Sequence, residues 1–262
     1  MSFLKKLFEP LTAITTRLFT ILVIINIALA LVLWHFFAAG GLIPTPGKIG
    51  SSVIRILSSP DFYDNLFISL GLTLKGMGYS IIIALLICYL SLIPIFNPLA
   101  RFIIKCRYLT LTGLIFLFTL LTSNGHNLKL SLLIFGIVPF FVTSLLSIID
   151  SINVQEYELC KTLRMNSWQT LYEVVIVGRM DTVLDVMRQN FAIAWMMITM
   201  VEGLNMSEGG LGTMLIKSNK YIDLGTVFAI LVIIFTIGVC FDYLLKQLRI
   251  WFFPYTRLQL RK

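Results

Sequence analysis

Long hydrophobic runs, divided by short polar or proline- and glycine-bearing breaks, recur along the whole chain. They fall at residues 18–39, 70–93, 108–122, 129–149, 183–204 and 225–245. About 20 apolar residues carry a helix across the hydrocarbon core, so the pattern predicts six spans, the third of them short. The breaks are punctuated as helix ends should be. Residues Gly40 to Gly47 hold three glycines and two prolines, Pro94, Asn97 and Pro98 close the second run, and Ser123 to Asn127 make a polar turn. Lys48 to Asn65 reads as an extramembrane amphipathic segment. Pro139 predicts a kink in the fourth span, with Thr143 available to the freed carbonyl.

The longest polar interruption, residues 150–182, reads as two short helices joined at a turn. Asn153 with Glu156, and Asn166 with Gln169, are spaced as N-cap and N3, so each pair can satisfy orphan amides reciprocally. Val154, Tyr157, Cys160 and Leu163 fall on one face of the first helix. Trp168, Leu171, Tyr172 and Val175 fall on one face of the second. Two amphipathic helices between membrane spans predict a docking surface for a partner.

Composition sharpens this picture. Of 262 residues 58% are hydrophobic and only 13% charged, with a mean hydropathy of +0.90, where a soluble domain carries about 25% charged residues. The chain is thus an all-α integral membrane protein, one bundle rather than two soluble lobes. A signal peptide is excluded for the first run, which has 22 residues against about 7–15 in a signal h-region. Cys88, Cys106, Cys160 and Cys240 form no C-x-x-C pair and read as small buried hydrophobes. With only His35 and His126, no metal site is expected.

The net charge of +8 reflects basic loops rather than nucleic-acid binding. With the N-terminus cytoplasmic, fourteen of the 21 Lys and Arg residues lie on that side and five on the other, Lys75 and Arg188 falling within spans. The cytoplasmic set includes the Arg101, Lys105 and Arg107 cluster and Lys246, Arg249, Arg257, Arg261 and Lys262. The asymmetry predicts that both termini and the 150–182 loop are cytoplasmic. The expected organisation is a cytoplasmic segment 1–17, a six-span domain 18–253 and a basic tail 254–262.

Candidate chemistry is sparse. No Walker A loop is present; Gly212 to Ser218 lacks the glycine before its lysine. Any ATP must therefore be bound by another subunit, and no cofactor is expected on this chain. Glu202 ends an apolar run, and intramembrane carboxylates face a cavity or a partner when they are not hydrated at the headgroups. Both readings stay open, and Lys75, at similar depth, is its candidate partner. Arg188 is expected to snorkel, Asp242 to pair with Lys246 one turn on, and Gly209-Gly210-Leu211-Gly212 to form a flexible turn.

The 150–182 loop resembles the coupling motif of permease subunits of ABC importers, E-A-A-x-x-x-G followed by about nine residues and I-x-L-P. Glu158 stands at the acidic position, Leu159-Cys160 where alanines are usual, Arg164 at the glycine and Val177-Gly178 at the Leu-Pro. The second half is similar to the nitrate, sulfonate and taurine subfamily. Ala194-Trp195, Val201-Glu202, Gly210-Leu211-Gly212, Leu215-Ile216, Asp223, Val227-Phe228 and Asp242 to Lys246 follow its order, and Leu42 to Pro46 resembles its L-P-S-P segment. The resemblance covers about residues 18–253.

It implies a type I importer permease in the bacterial inner membrane, working as a homodimer in lipid with an ABC ATPase inside and a substrate-binding protein outside. Glu158, Cys160, Leu163, Arg164, Trp168 and Leu171 would couple to the ATPase. Glu202, Lys75 and Trp195 would line the pathway, and Gly210 and Gly212 would form the outer loop. An ATP-independent secondary transporter or channel is the alternative, though six spans without a visible inverted repeat and with few intramembrane charges speak against it. A membrane scaffold is a third reading. Co-purification with an ATPase whose turnover requires the chain separates the three.

Overall fold

The computed structural model describes residues 16–38 and 44–254. Among them every regular element is helical. The order is α1 (Thr16–Ala38), α2 (Pro46–Leu57), α3 (Pro60–Ser91), α4 (Asn97–Lys105), α5 (Leu111–Leu121) and α6 (Gly125–Asp150). Then come α7 (Val154–Thr162), α8 (Ser167–Thr170) running into a π-helix (Leu171–Val177), α9 (Met180–Leu204), α10 (Leu211–Lys220) and α11 (Leu224–Phe252). Pro46, Pro60 and Pro98 sit in the first turns of α2, α3 and α4, where the missing N–H costs nothing. The expected N-terminal segment up to residue 15, the Gly40 to Ile43 break and the tail beyond residue 254 lie outside the described residues.

By length and composition α1, α3, α6 and α11 can each cross a bilayer, and the pair α4–α5, bent by 113°, adds a fifth crossing if taken as one broken span. The expected second span is longer than its hydrophobic run. It starts at Pro60 and has 32 residues, because Asn65 and Ser69 continue the helix and turn inward to polar partners. The expected third span, 108–122, is α5 alone, whose 11 residues are too few to cross by themselves; α4, with Arg101 and Lys105, precedes it at the bend. The expected fifth span is α9, whose 25 residues extend about 37 Å. It falls outside the apolar group because Asp181, Asp185, Arg188 and Glu202 lie on it and pair with neighbouring helices.

A core of α3, α6, α9 and α11 holds the bundle together. Leu133, Ile137, Phe141 and Val142 of α6 and Ala194 and Ile198 of α9 are buried in it. The buried face of α3 is a stripe of small residues, Ser69, Thr73, Gly76, Ser80, Ala84, Cys88 and Ser91. Small side chains let helix backbones approach where lipid gives little hydrophobic drive. A Cβ on Gly76 would lie 2.5 Å from Leu133 Cδ2, which shows how closely α6 is seated. Thr143 Oγ1 donates to the carbonyl of Pro139 itself at 2.7 Å, so the expected capture of the freed carbonyl one turn earlier is not made.

The amphipathic segment after the first span is α2, which buries Ile49, Ser52 and Ile56 against α11. Arg55 Nη2 donates to Thr226 Oγ1 at 2.9 Å and lies 3.6 Å from Asp223. Asp223 in turn caps α11 by accepting from Thr226 N at 3.2 Å.

Candidate functional site

Polar chemistry gathers at the two ends of the bundle. At the end where α6 begins and α9 stops, Glu202 is fully buried. Ser69 Oγ donates to its Oε1 at 2.7 Å, and the Gly212 amide donates to Oε2 at 2.9 Å. Ser69 Oγ also accepts from the Leu211 amide at 2.8 Å, and Asn65 Oδ1 accepts from the Gly210 amide at 2.7 Å. Lys129, equally buried, donates to the Gly209 carbonyl at 3.1 Å and supplies the positive charge facing Glu202. Thr213 Oγ1 donates to the backbone oxygens of Glu202 and Gly209, at 3.1 and 3.0 Å.

An isolated buried carboxylate is costly, whereas one that is paired and hydrogen-bonded is tolerated. Here α3, α6 and the 209–213 loop together meet that requirement, so the loop is strapped down. It is not the flexible turn expected. Gly209 and Gly210 have φ of +77° and +114°, a region that favours glycine. A Cβ on Gly210 would lie 2.3 Å from the Glu202 carboxyl carbon, and one on Gly212 would lie 2.2 Å from the Thr199 carbonyl oxygen. These glycines are required by contact.

At the opposite end, α7 and α8 form the predicted loop pair. Asn153 Oδ1 caps α7 by accepting from Gln155 N at 3.1 Å. Glu156 does not return to complete a capping box; it pairs with Arg179 at the head of α9, which ties the loop to that helix. In the second helix Asn166 N donates to Gln169 Oε1 at 2.8 Å. The predicted face of α7 is split, because Cys160 is buried among Ile152, Val174 and Val175 while Val154 and Leu163 are exposed. Cys160 thus seats the helix and does not face outward.

Arg164 has φ of +54° and sits just past the end of α7. The Met165 amide donates to the Cys160 carbonyl and the Arg164 amide to the Lys161 carbonyl, both at 3.0 Å. This is the Schellman pattern, whose left-handed residue is usually glycine. Arg164 therefore holds, at the end of α7, the left-handed backbone geometry that glycine usually supplies.

Leu159, Leu163, Trp168 and Tyr172 are all exposed, Trp168 by 69%, and Leu163, Trp168 and Tyr172 line an open groove of about 630 Å³. Leu171 lines a second depression, of about 310 Å³, with Tyr157 and Met165. Glu158 is exposed beside them. The helix then widens into the π-turns of 171–177, closed by the Gly178 amide donating to Glu173 O at 2.9 Å. Short π segments concentrate at functional sites.

Other expected placements differ. Lys75 is exposed on α3, and Glu202 is already hydrogen-bonded by Ser69 and the Gly212 amide, so the Lys75–Glu202 pair is not formed. Trp195 is buried, donating to Ile234 O at 2.9 Å and stacking on Phe241, and it packs α9 on α11. Arg188 does not snorkel, and Asp242 does not turn to Lys246. Arg188 and Asp242 pair with each other at 3.2 Å, while Arg249 pairs with Asp181 and Asp185. The partly buried arginines of α9 and α11 outcompete an exposed lysine one turn away.

Asn65, Ser69, Lys129 and Thr213 are the network residues that sequence reasoning missed. Lys129 carried a usable signal, a lysine at the head of an otherwise apolar helix. Ser69 carried none, since an intramembrane serine commonly bonds its own helix.

Residues 80–249 match the model of a family described as the binding-protein-dependent transport system inner membrane component. Among solved structures, the chain is similar in fold to the crystal structure of an amino acid ABC transporter with histidines. The likeness has a TM-score of 0.62 at 18% identity and covers 72% of this chain and 93% of that one. No curated protein matches the sequence.

Proposed function

Because the chain belongs to the family of binding-protein-dependent transport system inner membrane components, we propose that it forms the translocation pathway of an ATP-driven importer as one of two identical six-span subunits. In this reading α1, α3, the broken α4–α5 pair, α6, α9 and α11 are the six crossings, and both termini are cytoplasmic. The ATPase is a separate subunit that docks on the α7–α8 loop. A substrate-binding protein delivers the solute at the far side, near the strapped 209–213 loop. The motif resemblance of the second half favours a small oxyanion-bearing solute of the nitrate, sulfonate or taurine kind.

The observation that carries the reading is the exposed apolar set Leu159, Leu163, Trp168 and Tyr172 on a capped loop between spans. Aromatic anchors beside a groove are typical of energetically dominant contacts. The loop is tied to α9 through Glu156–Arg179 and α9 to α11 through the Arg249 and Arg188 pairs. A push on the loop is thereby delivered to two spans at once, which suits a pathway that alternates between two openings.

The test is reconstitution. Co-expressed with its candidate ATPase, the chain is expected to form a complex whose ATP turnover depends on it and on a loaded binding protein. Solute uptake by the purified chain alone, without ATP, would overturn the reading.

A further inference from the structure

Beside the α7–α8 loop, the end of α3, the amphipathic α4 and the last turns of α6 border an open cleft of about 480 Å³, with Arg101 and Asp150 exposed at its rim. Its wall carries Ser91, Asn97, Arg101, Thr143, Ser147 and Asp150, an unusual concentration of polar groups between helices whose other faces are apolar. Pockets for small molecules commonly fall in this volume range and orient their ligand by a few converging polar groups.

The two charged residues of the wall have opposite sign and do not meet. Among the described residues, neither Arg101 nor Asp150 forms an ion pair or a side-chain hydrogen bond. Asp150 is also the last residue of α6, where the negative end of the helix dipole disfavours an acid. Two hydroxyls of the same wall are free to accept. Ser91 Oγ donates to Cys88 O at 2.6 Å and Thr143 Oγ1 to Pro139 O at 2.7 Å, which leaves their lone pairs for an N–H donor in the cleft.

We propose that this cleft is a binding site for a small zwitterion, whose oxyanion lies on the Arg101 guanidinium and whose ammonium lies on Asp150, with the Ser91 and Thr143 hydroxyls accepting further N–H bonds. A planar guanidinium suits a carboxylate, sulfonate or phosphate oxygen pair. A carboxylate that shares a wall with hydroxyl acceptors suits an ammonium. A singly charged ligand would leave one of the two groups without its counter-charge.

Binding is measured on the full chain in detergent with no ATPase present, so the result is independent of the transport reading. The probes are the ω-amino acids from glycine to 4-aminobutyrate, with propionate and propylamine as single-charge controls. One member of the amino acid series is expected to bind saturably and at least tenfold more tightly than either control. Arg101→Gln and the near-isosteric Asp150→Asn are each expected to weaken it tenfold or more while the unfolding temperature is kept.

Ethanolamine phospholipid headgroups share this chemistry. Repeating the titration in nanodiscs with and without phosphatidylethanolamine separates the sources: competition assigns the site to the headgroup, and an unchanged affinity assigns it to a free solute. Equal binding of propionate and the zwitterion, no saturable binding by any zwitterion in detergent, or affinity unaffected by both substitutions, overturns the proposal.

Discussion

Ser69 and Glu202, 133 residues apart in the chain, meet in a 2.7 Å hydrogen bond with both side chains fully buried. The serine hydroxyl donates a hydrogen bond to the carboxylate and accepts one from the Leu211 amide. One small side chain on α3 therefore joins the end of α9 to the start of α10. Removing either member strands buried groups. Glu202→Ala is expected to destabilise the chain by about 3 kcal/mol, Ser69→Ala by about 2 kcal/mol, and the double variant by less than their sum. Thermal unfolding of the four proteins in one detergent checks this; additivity would mean that the two residues act independently.

The glycines of the strap make a sharper prediction. Gly210→Ala drives a methyl group into the Glu202 carboxylate and Gly212→Ala drives one into the Thr199 carbonyl, so each is expected to cost roughly 2 kcal/mol or more. Gly50→Ala in α2 meets nothing within 4 Å and should stabilise by up to about 1 kcal/mol through helix propensity. Unfolding temperatures of the three variants should therefore move in opposite directions.

Arg164 carries a left-handed backbone that glycine adopts without strain. Arg164→Gly is expected to stabilise the end of α7 by roughly 0.5–1 kcal/mol, the relief of strain being partly offset by the freer unfolded chain. Hydrogen exchange of the Met165 and Leu163 amides is the local readout, and faster exchange in the variant would contradict the assignment.

For the proposed docking surface, Trp168→Ala and Leu163→Ala remove exposed side chains and should leave the unfolding temperature within experimental error. Affinity for the partner ATPase is expected to fall at least thirtyfold for Trp168→Ala, as for a central aromatic anchor worth about 2 kcal/mol. Pull-down of the ATPase by membrane-inserted variants measures it. Undiminished capture would remove Trp168 from the interface.

Asp223 gives the pH dependence. The hydrogen bonds from Thr226, side chain first and then amide, with a smaller contribution from Arg55, hold its carboxyl below the ordinary value of 3.8. A group whose folded value is depressed adds stability that is fully present above its unfolded value and is lost as pH falls through the folded one. The loss is thus expected below about pH 3.8 and should be small, since the side chain is half exposed and solvent-screened. Asp223→Asn should flatten the unfolding temperature against pH in that window relative to the parent chain.

Helices, their order and the capped loop between α6 and α9 were legible because they rest on local rules. Run length marks a span, proline and glycine mark its ends, and N-cap and N3 residues mark short helices. The legible part stopped where a side chain had two ways to be satisfied. Glu156 was spaced to close a capping box yet pairs with Arg179, and Asp242 was spaced for Lys246 yet pairs with Arg188. In each case a nearer or less hydrated partner from another helix won. The start of α3 was misjudged for the same reason: Asn65 and Ser69 look extramembrane by hydropathy but are bonded inside the bundle.

The sequence alone determined that this chain is helical and membrane-spanning, because burial in lipid demands apolar runs and intrahelical hydrogen bonds whatever the helices pack against. Tertiary structure alone decided what the intramembrane polar residues do. A buried carboxylate must be matched in three dimensions, and its partners, Ser69, Lys129 and the Gly212 amide, come from parts of the chain that no local spacing relates.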